Sequence, residues 1–281
     1  MNALDAVKKR VSVRSYDSSP LSGPIRSELD SFCTAMNSGP FGNAVRFQLL
    51  NLEPLGRDEL RRLGTYGVIK GANLYVLGAA KEGSRNFEDF GYCMENIILK
   101  ATALGLGTCW LAGTFKRSAF ASKMNLTEDE LLPAITPVGY PAKELSTMDR
   151  IFRIGANSKK RKPWSELFLK ADGITPLSEA DAGDYRKALD AIRMGPSASN
   201  RQPWRVVKAD NGIFHLFLRE NKIYNRILGK ISIQNIDAGI AMCHFEIGAR
   251  EQGLPGRWKD VSPALDISGM QYIATWSNCK R

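Results

Sequence analysis

Two long stretches of the chain place apolar residues three and four positions apart, which is the spacing of one helix face. They span residues 89–110 and 237–258. Each pattern continues for about five helical turns and has a glycine near its end, Gly105 or Gly253. The pattern predicts two long helices, each ended by a C-cap glycine.

The two long stretches match each other without a gap. Four pairs of residues are separated by the same 148 positions. The pairs are Asp89 and Asp237, Gly91 and Gly239, Gly105 and Gly253, and Trp110 and Trp258. Because such agreement is hard to obtain by chance, it predicts an internal repeat.

The rest of the hydrophobic pattern follows the same order in each half. Shorter helical patterns lie at 25–36 and 185–192, and Gly/Pro turns follow at 39–47 and 195–204. The strand-like runs are 48–52, 74–77 and 135–140 in the first half, and 205–207, 213–217 and 270–274 in the second. This order predicts two copies of one α+β layout, joined by a polar stretch around residues 150–180 that is longer than an ordinary connection.

Composition excludes several classes of protein. The 281 residues are 43% hydrophobic and 24% charged, which is typical of a folded globular chain and not of a disordered one. Five scattered cysteines without a C-x-x-C pair, and only two histidines, argue against a disulfide framework and a metal centre. With no apolar run of membrane length and no secretory signal pattern, we expect a cytoplasmic protein and no membrane partner.

The net charge is +10, and the lysines and arginines are spread along the chain with two local concentrations, at 8–14 and 159–162. The first lies at the end of a predicted helix marked by Leu4, Val7 and Val11. A basic surface can bind nucleic acid, anionic lipid or a small phosphate, or can simply be solvated. Neither segment has the interleaved aromatics of a single-strand binder, so we expect no nucleic-acid partner and favour phosphate capture.

Four motifs together resemble those of a known family. Residues 10–16 match R-x-S-x-R-x-Y, and residues 196–204 match P-S-x-x-N-x-Q-P-W. Residues 105–113 match the family's segment beside the reactive edge of the cofactor, and Gly139-Tyr140-Pro141 with 159–163 match its closing motifs. With these motifs the chain resembles the FMN-dependent nitroreductase superfamily, in its internally duplicated single-chain branch.

The resemblance implies an α+β, nitroreductase-like fold in two tandem copies, 1–168 and 169–281, that form an intramolecular pseudo-dimer. The first half keeps the opening motif and the basic segment, but its turn lacks the serines and the Gln-Pro-Trp. The second half keeps that turn and lacks the opening motif. We therefore expect one complete flavin site per chain, one degenerate site, and a protein that is monomeric.

The resemblance also implies how the first half contacts the cofactor. Arg10 and Ser12 would face the phosphate and the ribityl chain, and Arg14 the pyrimidine end, where a cation stabilises the anionic reduced flavin. Lys159 and Arg161 would close over the phosphate, which a planar guanidinium binds through two oxygens at once. Solvated cations at a helix end, favoured by the helix dipole, stay an open alternative.

The second half would supply the turn of residues 196–200. Its members are Pro196, Ser197, Ala198, Ser199 and Asn200. The resemblance implies that the two serine hydroxyls meet the pyrimidine carbonyl or the ribityl hydroxyls, while Asn200 holds the turn together; Gln202 could do either. A purely structural turn is the alternative.

Ala112 and Gly113 would bring backbone N–H groups to flavin N5 and O4, where they stabilise developing charge like an oxyanion hole. An ordinary turn between helix and strand is the alternative. No side chain is assigned as a catalytic acid or base, because the chemistry takes place at flavin N5. Tyr66 is a further candidate for the flavin border, whereas His244 and Trp204 are expected in the core.

The implied function is an FMN-dependent oxidoreductase that uses NADH or NADPH and reduces a small-molecule acceptor, such as a nitroaromatic or a quinone, by a ping-pong mechanism. Two alternatives stay open. One is a flavin-binding or vestigial module with little turnover. The other is a basic adaptor that binds nucleic acid or an acidic partner.

Overall fold

The computed structural model describes residues 1–55, 63–65, 67–144, 160–210, 212–219, 229–261 and 263–278. The chain divides into two compact units. Unit 1 comprises Met1–Gly39, Asn43–Asn86 and Cys93–Ser158, and unit 2 comprises Pro40–Gly42, Phe87–Tyr92 and Lys159–Arg281. Two short segments of the first half of the chain therefore belong to the second unit.

Unit 1 is built on an antiparallel sheet. In chain order its elements are helix α1 (Ala3–Lys9), α2 (Gly23–Ala35), strands β1 (Val45–Asn51) and β2 (Leu74–Lys81), helix α3 (Asn86–Ala103), strand β3 (Gly107–Thr108), helix α4 (Arg117–Met124), and strands β4 (Glu130–Leu131) and β5 (Ile135–Gly139). The sheet order is β1-β2-β5-β3, and β4 pairs with the end of β2. Buried apolar residues of β2, α4 and β5, including Leu77, Phe120 and Ile135, form its core.

Unit 2 contains a second sheet. Its elements are helix α5 (Trp164–Leu167), strand β6 (Phe168–Leu169), helix α6 (Arg186–Met194), strands β7 (Trp204–Asp210) and β8 (Ile213–Arg219), helix α7 (Ile233–Arg250), and strands β9 (Gly256–Lys259) and β10 (Met270–Asn278). The sheet order is β6-β7-β8-β10-β9; β6 pairs with β7 in parallel, and the other pairs are antiparallel. Phe214, Phe245 and Trp276 pack edge to face or tilted in its core.

Within unit 2, the first turns of α3 approach α7 backbone to backbone. A Cβ atom on Gly91 would lie 2.2 Å from the carbonyl oxygen of Ile236, and one on Gly239 would lie 2.0 Å from that of Glu88. The Asn235 side chain donates a hydrogen bond to Glu88 Oε1 at 2.7 Å. Because any larger residue would collide with the neighbouring backbone, the two helices can meet this closely only at glycine.

The predicted helices and strands are confirmed, and both long helices end as expected. Gly105 and Gly253 have φ values of 80° and 67°, in the left-handed region. The next residue in each case donates its N–H back into the helix, from Leu106 to Ala101 at 2.9 Å and from Leu254 to Ala249 at 3.0 Å. This is the hydrogen-bond pattern of a helix ended by glycine.

One prediction about local structure is wrong. The first helix ends at Lys9, before Val11, which is 54% exposed. The described part of the polar join forms α5 and β6 and buries Leu167 and Phe168 completely. Pairing of β6 with β7 makes this segment part of the sheet.

Among the described residues, no helix combines the length and the apolar character needed to cross a membrane.

Candidate functional site

The opening segment, residues 10–16, lies in unit 1 as an extended strand-like stretch. Arg10 is the C-cap of α1, with ψ of 122°, so the chain leaves the helix there. Val13 then donates its N–H to the Thr108 carbonyl at 2.8 Å, and Arg14 accepts one from Lys70 at 2.9 Å. A Cβ on Gly107 would come within 2.8 Å of the Val13 side chain, so glycine permits this close pairing with β3.

Arg10 carries a buried donor that lacks a protein acceptor. Its Nε atom is buried and makes no hydrogen bond to any of the residues that the structure describes. A buried polar group without a partner costs about 1–3 kcal/mol, and charged groups cost more. Such a cation is therefore well suited to an anionic ligand.

The bend at Ala112 and Gly113 is held in place by hydrogen bonds of neighbouring residues. It follows Leu111, which exchanges backbone hydrogen bonds with Ile135 at 3.0 and 2.9 Å. Arg117 donates to the carbonyls of Ala112 and Leu132, and burial lowers the pKa of its guanidinium. Gly113 itself is exposed. The pairing of Ser12 with Thr108 brings the opening segment beside the strand that leads to this bend.

The 196–200 turn lies in unit 2 and has an unusual backbone. Ser199, Asn200 and Gln202 have φ values of 48°, 54° and 47°, a region that residues other than glycine seldom occupy. Gln202 N–H donates to Ser197 Oγ at 2.8 Å, and Asn200 N–H donates to the Ser197 carbonyl at 2.9 Å. Backbone strain of this kind costs roughly 1–2 kcal/mol per residue and is concentrated at functional sites.

A buried carboxyl lies under this turn. Asp237, on α7, is 3% exposed, and both of its oxygens accept the Ala198 N–H, at 3.0 and 3.2 Å. Burial raises the pKa of Asp237 well above its usual range, and the hydrogen bond from Ala198 opposes the rise only in part. The group is therefore suited to an uncharged, hydrogen-bonding role.

The described part of the basic segment, residues 160–162, is held against the same turn. The Lys160 carbonyl accepts hydrogen bonds from Asn200 Nδ2 at 2.9 Å and from Gln202 Nε2 at 3.3 Å. Lys162 N–H donates to Gln202 Oε1 at 2.9 Å, and Arg161 Nη1 donates to Asn200 Oδ1 at 3.3 Å. The sequence-distant motifs at 160–162 and 196–202 thus form one cluster.

An ion-pair network supports this cluster. Arg205, which is 2% exposed, donates to Glu166 and to the backbone carbonyls of Gln202 and Trp204. Lys162 also pairs with Glu166. Burial by itself would raise the pKa of Glu166, but Lys162 and Arg205 lower it below its usual value. Glu166 therefore stays ionised between its two cations.

The predicted site residues fall into two groups. Arg10, Ser12 and Arg14 lie in unit 1 together with Ala112 and Gly113. Arg161 lies in unit 2 together with the turn residues Pro196, Ser197, Ala198, Ser199 and Asn200. Lys159 and Tyr66 lie outside the described residues.

The predictions for the core residues are confirmed. His244 is fully buried, with Nδ1 2.9 Å from the Ala191 carbonyl, and Trp204 is also fully buried.

Asn200 and Gln202 both hold the turn and the basic segment together. Among the described residues, no cluster of three or more His, Cys, Asp or Glu side chains could hold a metal ion.

The residues that support the turn are not predicted by the sequence motifs. In the sequence, Asp237 stands out only as a landmark of the repeat, and neither Arg205 nor Glu166 belongs to a predicted site. The signal for Asp237 was an acidic residue in an otherwise apolar helix pattern, since such a residue is buried only with a hydrogen-bond partner.

Comparison with known proteins places the fold and the family. The family model described as "Putative TM nitroreductase" matches residues 2–249. A "putative nitroreductase" from Thermotoga maritima MSB8 superposes with a TM-score of 0.61 at 18% identity, over 98% of this chain and 92% of that chain. Among curated proteins, no relative matches the chain.

Two further solved structures match about half of the chain. A nitroreductase family protein from Clostridium difficile 630 has a TM-score of 0.45 at 20% identity, over 59% of this chain and 96% of that chain. A nitroreductase with bound FMN from Bacteroides fragilis NCTC 9343 has a TM-score of 0.39 at 18% identity, over 52% of this chain and 91% of that chain.

The similarity to the Thermotoga maritima protein indicates a nitroreductase-like fold of mixed helix and strand content. Because the family model extends over nearly the whole sequence, this chain belongs to the nitroreductase family of that description.

Proposed function

We propose that this chain is an FMN-dependent oxidoreductase that transfers electrons from NADH or NADPH to a small acceptor, such as a nitroaromatic or a quinone, by a ping-pong mechanism. Membership in a nitroreductase family supports an oxidoreductase. The observation that carries the cofactor assignment is Arg10, whose buried Nε has no acceptor among the described residues. That donor lies in the motif that the resemblance associates with the FMN phosphate.

The residues present fit FMN chemically. The cofactor carries a phosphate dianion, a chain of hydroxyls and a flat ring system with a polar pyrimidine end. Arg10 and Arg161 supply cations for the phosphate, and Ser197 supplies a hydroxyl that already accepts one hydrogen bond and can donate another. The left-handed turn supports a ligand-binding role, because strained backbone of this kind clusters at functional sites.

When bound, FMN supplies the hydride-accepting and hydride-donating centre, and the chain supplies position and electrostatics. Arg10, Ser12 and Arg161, together with Lys159, would hold its phosphate and ribityl chain. Arg14 would favour negative charge at the pyrimidine end and so raise the reduction potential. The backbone N–H groups of Ala112 and Gly113 would stabilise charge near N5 and O4, and Arg117 holds this bend through the Ala112 carbonyl. We assign no side chain as an acid or base.

The chain is further proposed to be an internal duplication with halves 1–168 and 169–281. When β4 and β6 are set aside, the order β1-β2-β5-β3 of the first sheet corresponds to β7-β8-β10-β9 of the second: first strand, second strand, last strand, and the strand that follows the long helix. Both long helices have 18 residues and end at a left-handed glycine. The reciprocal close approaches of Gly91 to Ile236 and of Gly239 to Glu88 also support it, because a two-fold relation between copies produces paired contacts of this kind.

One FMN per chain is expected from this duplication. The first-half turn places Phe41 where the second half has hydroxyls, and Phe41 packs against the apolar cluster of unit 2. Asn43 in the same turn donates to the Ser84 carbonyl at 3.0 Å. We therefore propose that only the second-half turn takes part in binding, in a chain that acts as a monomeric pseudo-dimer.

The test is to add FMN to the purified protein and to follow its absorption. A bound flavin gives bands near about 370 and 450 nm, which NADH or NADPH should bleach and a nitroaromatic or quinone should restore. A flavin that binds but is not bleached would contradict the proposed enzymatic function and would support the alternative of a flavin-binding module with little turnover. Protein that takes up no FMN and is retained on DNA at moderate salt would support the basic adaptor.

A further inference from the structure

We propose that Asp237 is the positioning residue of the flavin site: by binding the Ala198 amide from α7, it sets the strained turn that presents Ser197 and Ser199. This inference rests on the proposed function, because it assigns a role within the same site. It concerns a residue that touches the turn and is not proposed to touch the cofactor.

The position of Asp237 supports this role. Its carboxyl belongs to a buried helix whose neighbouring residues Ala238, Ala241 and Met242 are fully buried in the apolar core of unit 2. Both carboxyl oxygens lie within hydrogen-bond distance of Ala198 N, at 3.0 and 3.2 Å. The hydrogen bond therefore connects the turn to a rigid element.

The turn needs such a connection. Its left-handed residues Ser199, Asn200 and Gln202 are unfavourable in isolation, so surrounding contacts must hold them. Bonds from Gln202 to Ser197 and from Arg201 to Ala198 close the turn on itself. The Ala198–Asp237 hydrogen bond joins this closed turn to α7 and so determines where the serines lie on the unit.

The carboxyl is suited to act without charge. Among the described residues, no cation forms an ion pair with Asp237, and a buried ionised carboxylate without a cation is costly. Burial raises its pKa well above the usual range, consistent with a protonated group. An amide of the same shape should therefore replace it.

The first half contains a matched residue for comparison. Asp89, on α3 within unit 2, is fully buried and accepts the Phe41 N–H at 2.9 Å. The geometry is that of a carboxyl holding a turn amide, but the turn around Phe41 lacks serine hydroxyls. Asp89 is thus a control for burial and hydrogen bonding without the proposed flavin contacts.

The experiment compares FMN dissociation constants of the full-length wild type, Asp237→Ala, Asp237→Asn and Asp89→Ala by absorption or fluorescence titration. We expect Asp237→Ala to weaken FMN binding by about tenfold or more, because the turn loses its connection. Asp237→Asn should stay within about threefold of wild type, because its amide oxygen still accepts the Ala198 N–H. Asp89→Ala should stay within about twofold.

Rescue by asparagine separates positioning from general stability. Equal affinity of Asp237→Ala and wild type would overturn the proposal, as would a loss in Asp237→Asn as large as that in Asp237→Ala. If Asp237→Ala does not fold, Ala198→Pro can be measured instead, because proline has no N–H to donate to Asp237. Wild-type affinity for FMN in Ala198→Pro would overturn the proposal. If the wild type binds no FMN, the proposed function itself has failed.

Discussion

Individual side chains in this protein are fixed by a few hydrogen bonds between distant parts of the sequence. Arg46 on β1 forms two bonds of 2.7 Å to the Glu130 carboxylate and also binds the carbonyls of Met124 and Asn125. Hydrogen bonds from Arg46 lower the pKa of Glu130 to about 2, although burial acts in the opposite direction. The pair thus connects β1 to β4 and to the end of α4.

The Glu130 pKa predicts a specific dependence of stability on acid. Its ordinary value is 4.5, so the ionised form stabilises the folded state fully above that pH, and this contribution is lost as pH falls towards about 2. Glu130→Gln should therefore be less stable than wild type at neutral pH. The difference in their free energies of unfolding should narrow between pH 4.5 and 2. Urea unfolding at several pH values measures this.

The control for this prediction is Glu128→Gln, which changes an exposed carboxylate two positions away. The difference in stability between Glu128→Gln and wild type should not narrow comparably as the pH falls. A stability gap for Glu130→Gln that stays constant from neutral to acid pH would show that ionisation of Glu130 does not stabilise the fold.

At the scale of elements, the decisive contact in unit 2 is the crossing of α3 and α7. Gly91 and Gly239 each face a backbone carbonyl of the other helix at a distance that leaves no room for a methyl group. Helices usually pack through side chains at axis separations of about 8–10 Å. Glycine permits a closer approach here, and the adjacent Asn235–Glu88 hydrogen bond reinforces it.

Substituting Gly239 by alanine should therefore destabilise the protein. The new methyl group would lie 2.0 Å from the Glu88 carbonyl oxygen and 2.7 Å from Tyr92 N. Because both neighbours are backbone atoms, the backbone of the two helices would have to shift. We expect a loss of about 1–3 kcal/mol or more, measured by thermal or urea unfolding. Gly23→Ala, at the start of α2 with no atom within 4 Å, is the control and should be neutral or slightly stabilising.

At the scale of the whole molecule, the two halves keep different parts of the proposed flavin site. Arg10 belongs to unit 1 and Ser197 to unit 2, and each lies in a motif that the other half lacks. Phe41 and Asn43 occupy the first-half turn in place of the serine motif. This complementary retention is the reason to expect a single functional site in one chain.

Alanine substitutions test this view directly. Arg10→Ala should weaken FMN binding by roughly ten- to a hundredfold, because it removes charge-assisted hydrogen bonds, and Ser197→Ala by several-fold. Asn43→Ala should change binding by less than about twofold. Titration should give about one FMN per chain. Equal losses at all three positions, or two FMN per chain, would contradict the single-site proposal.

The local pattern of residue types along the chain was sufficient to predict much of the fold. Apolar spacing located both long helices, the left-handed glycines after them and the main strands, because helix and strand periods and glycine's conformational freedom act over a few residues. The 196–200 turn was recognised for the same reason, since its Pro, Ser and Asn residues favour turns wherever they occur. Family motifs then indicated a nitroreductase-like chain.

Only the tertiary structure decided which distant groups meet. It placed 40–42 and 87–92 of the first half in unit 2, and it brought the 160–162 segment onto the 196–202 turn. It also buried Asp237 beneath that turn and left Arg10 Nε without a described partner. Burial and hydrogen-bond partners depend on contacts between residues far apart in the chain, and no local periodicity encodes those contacts.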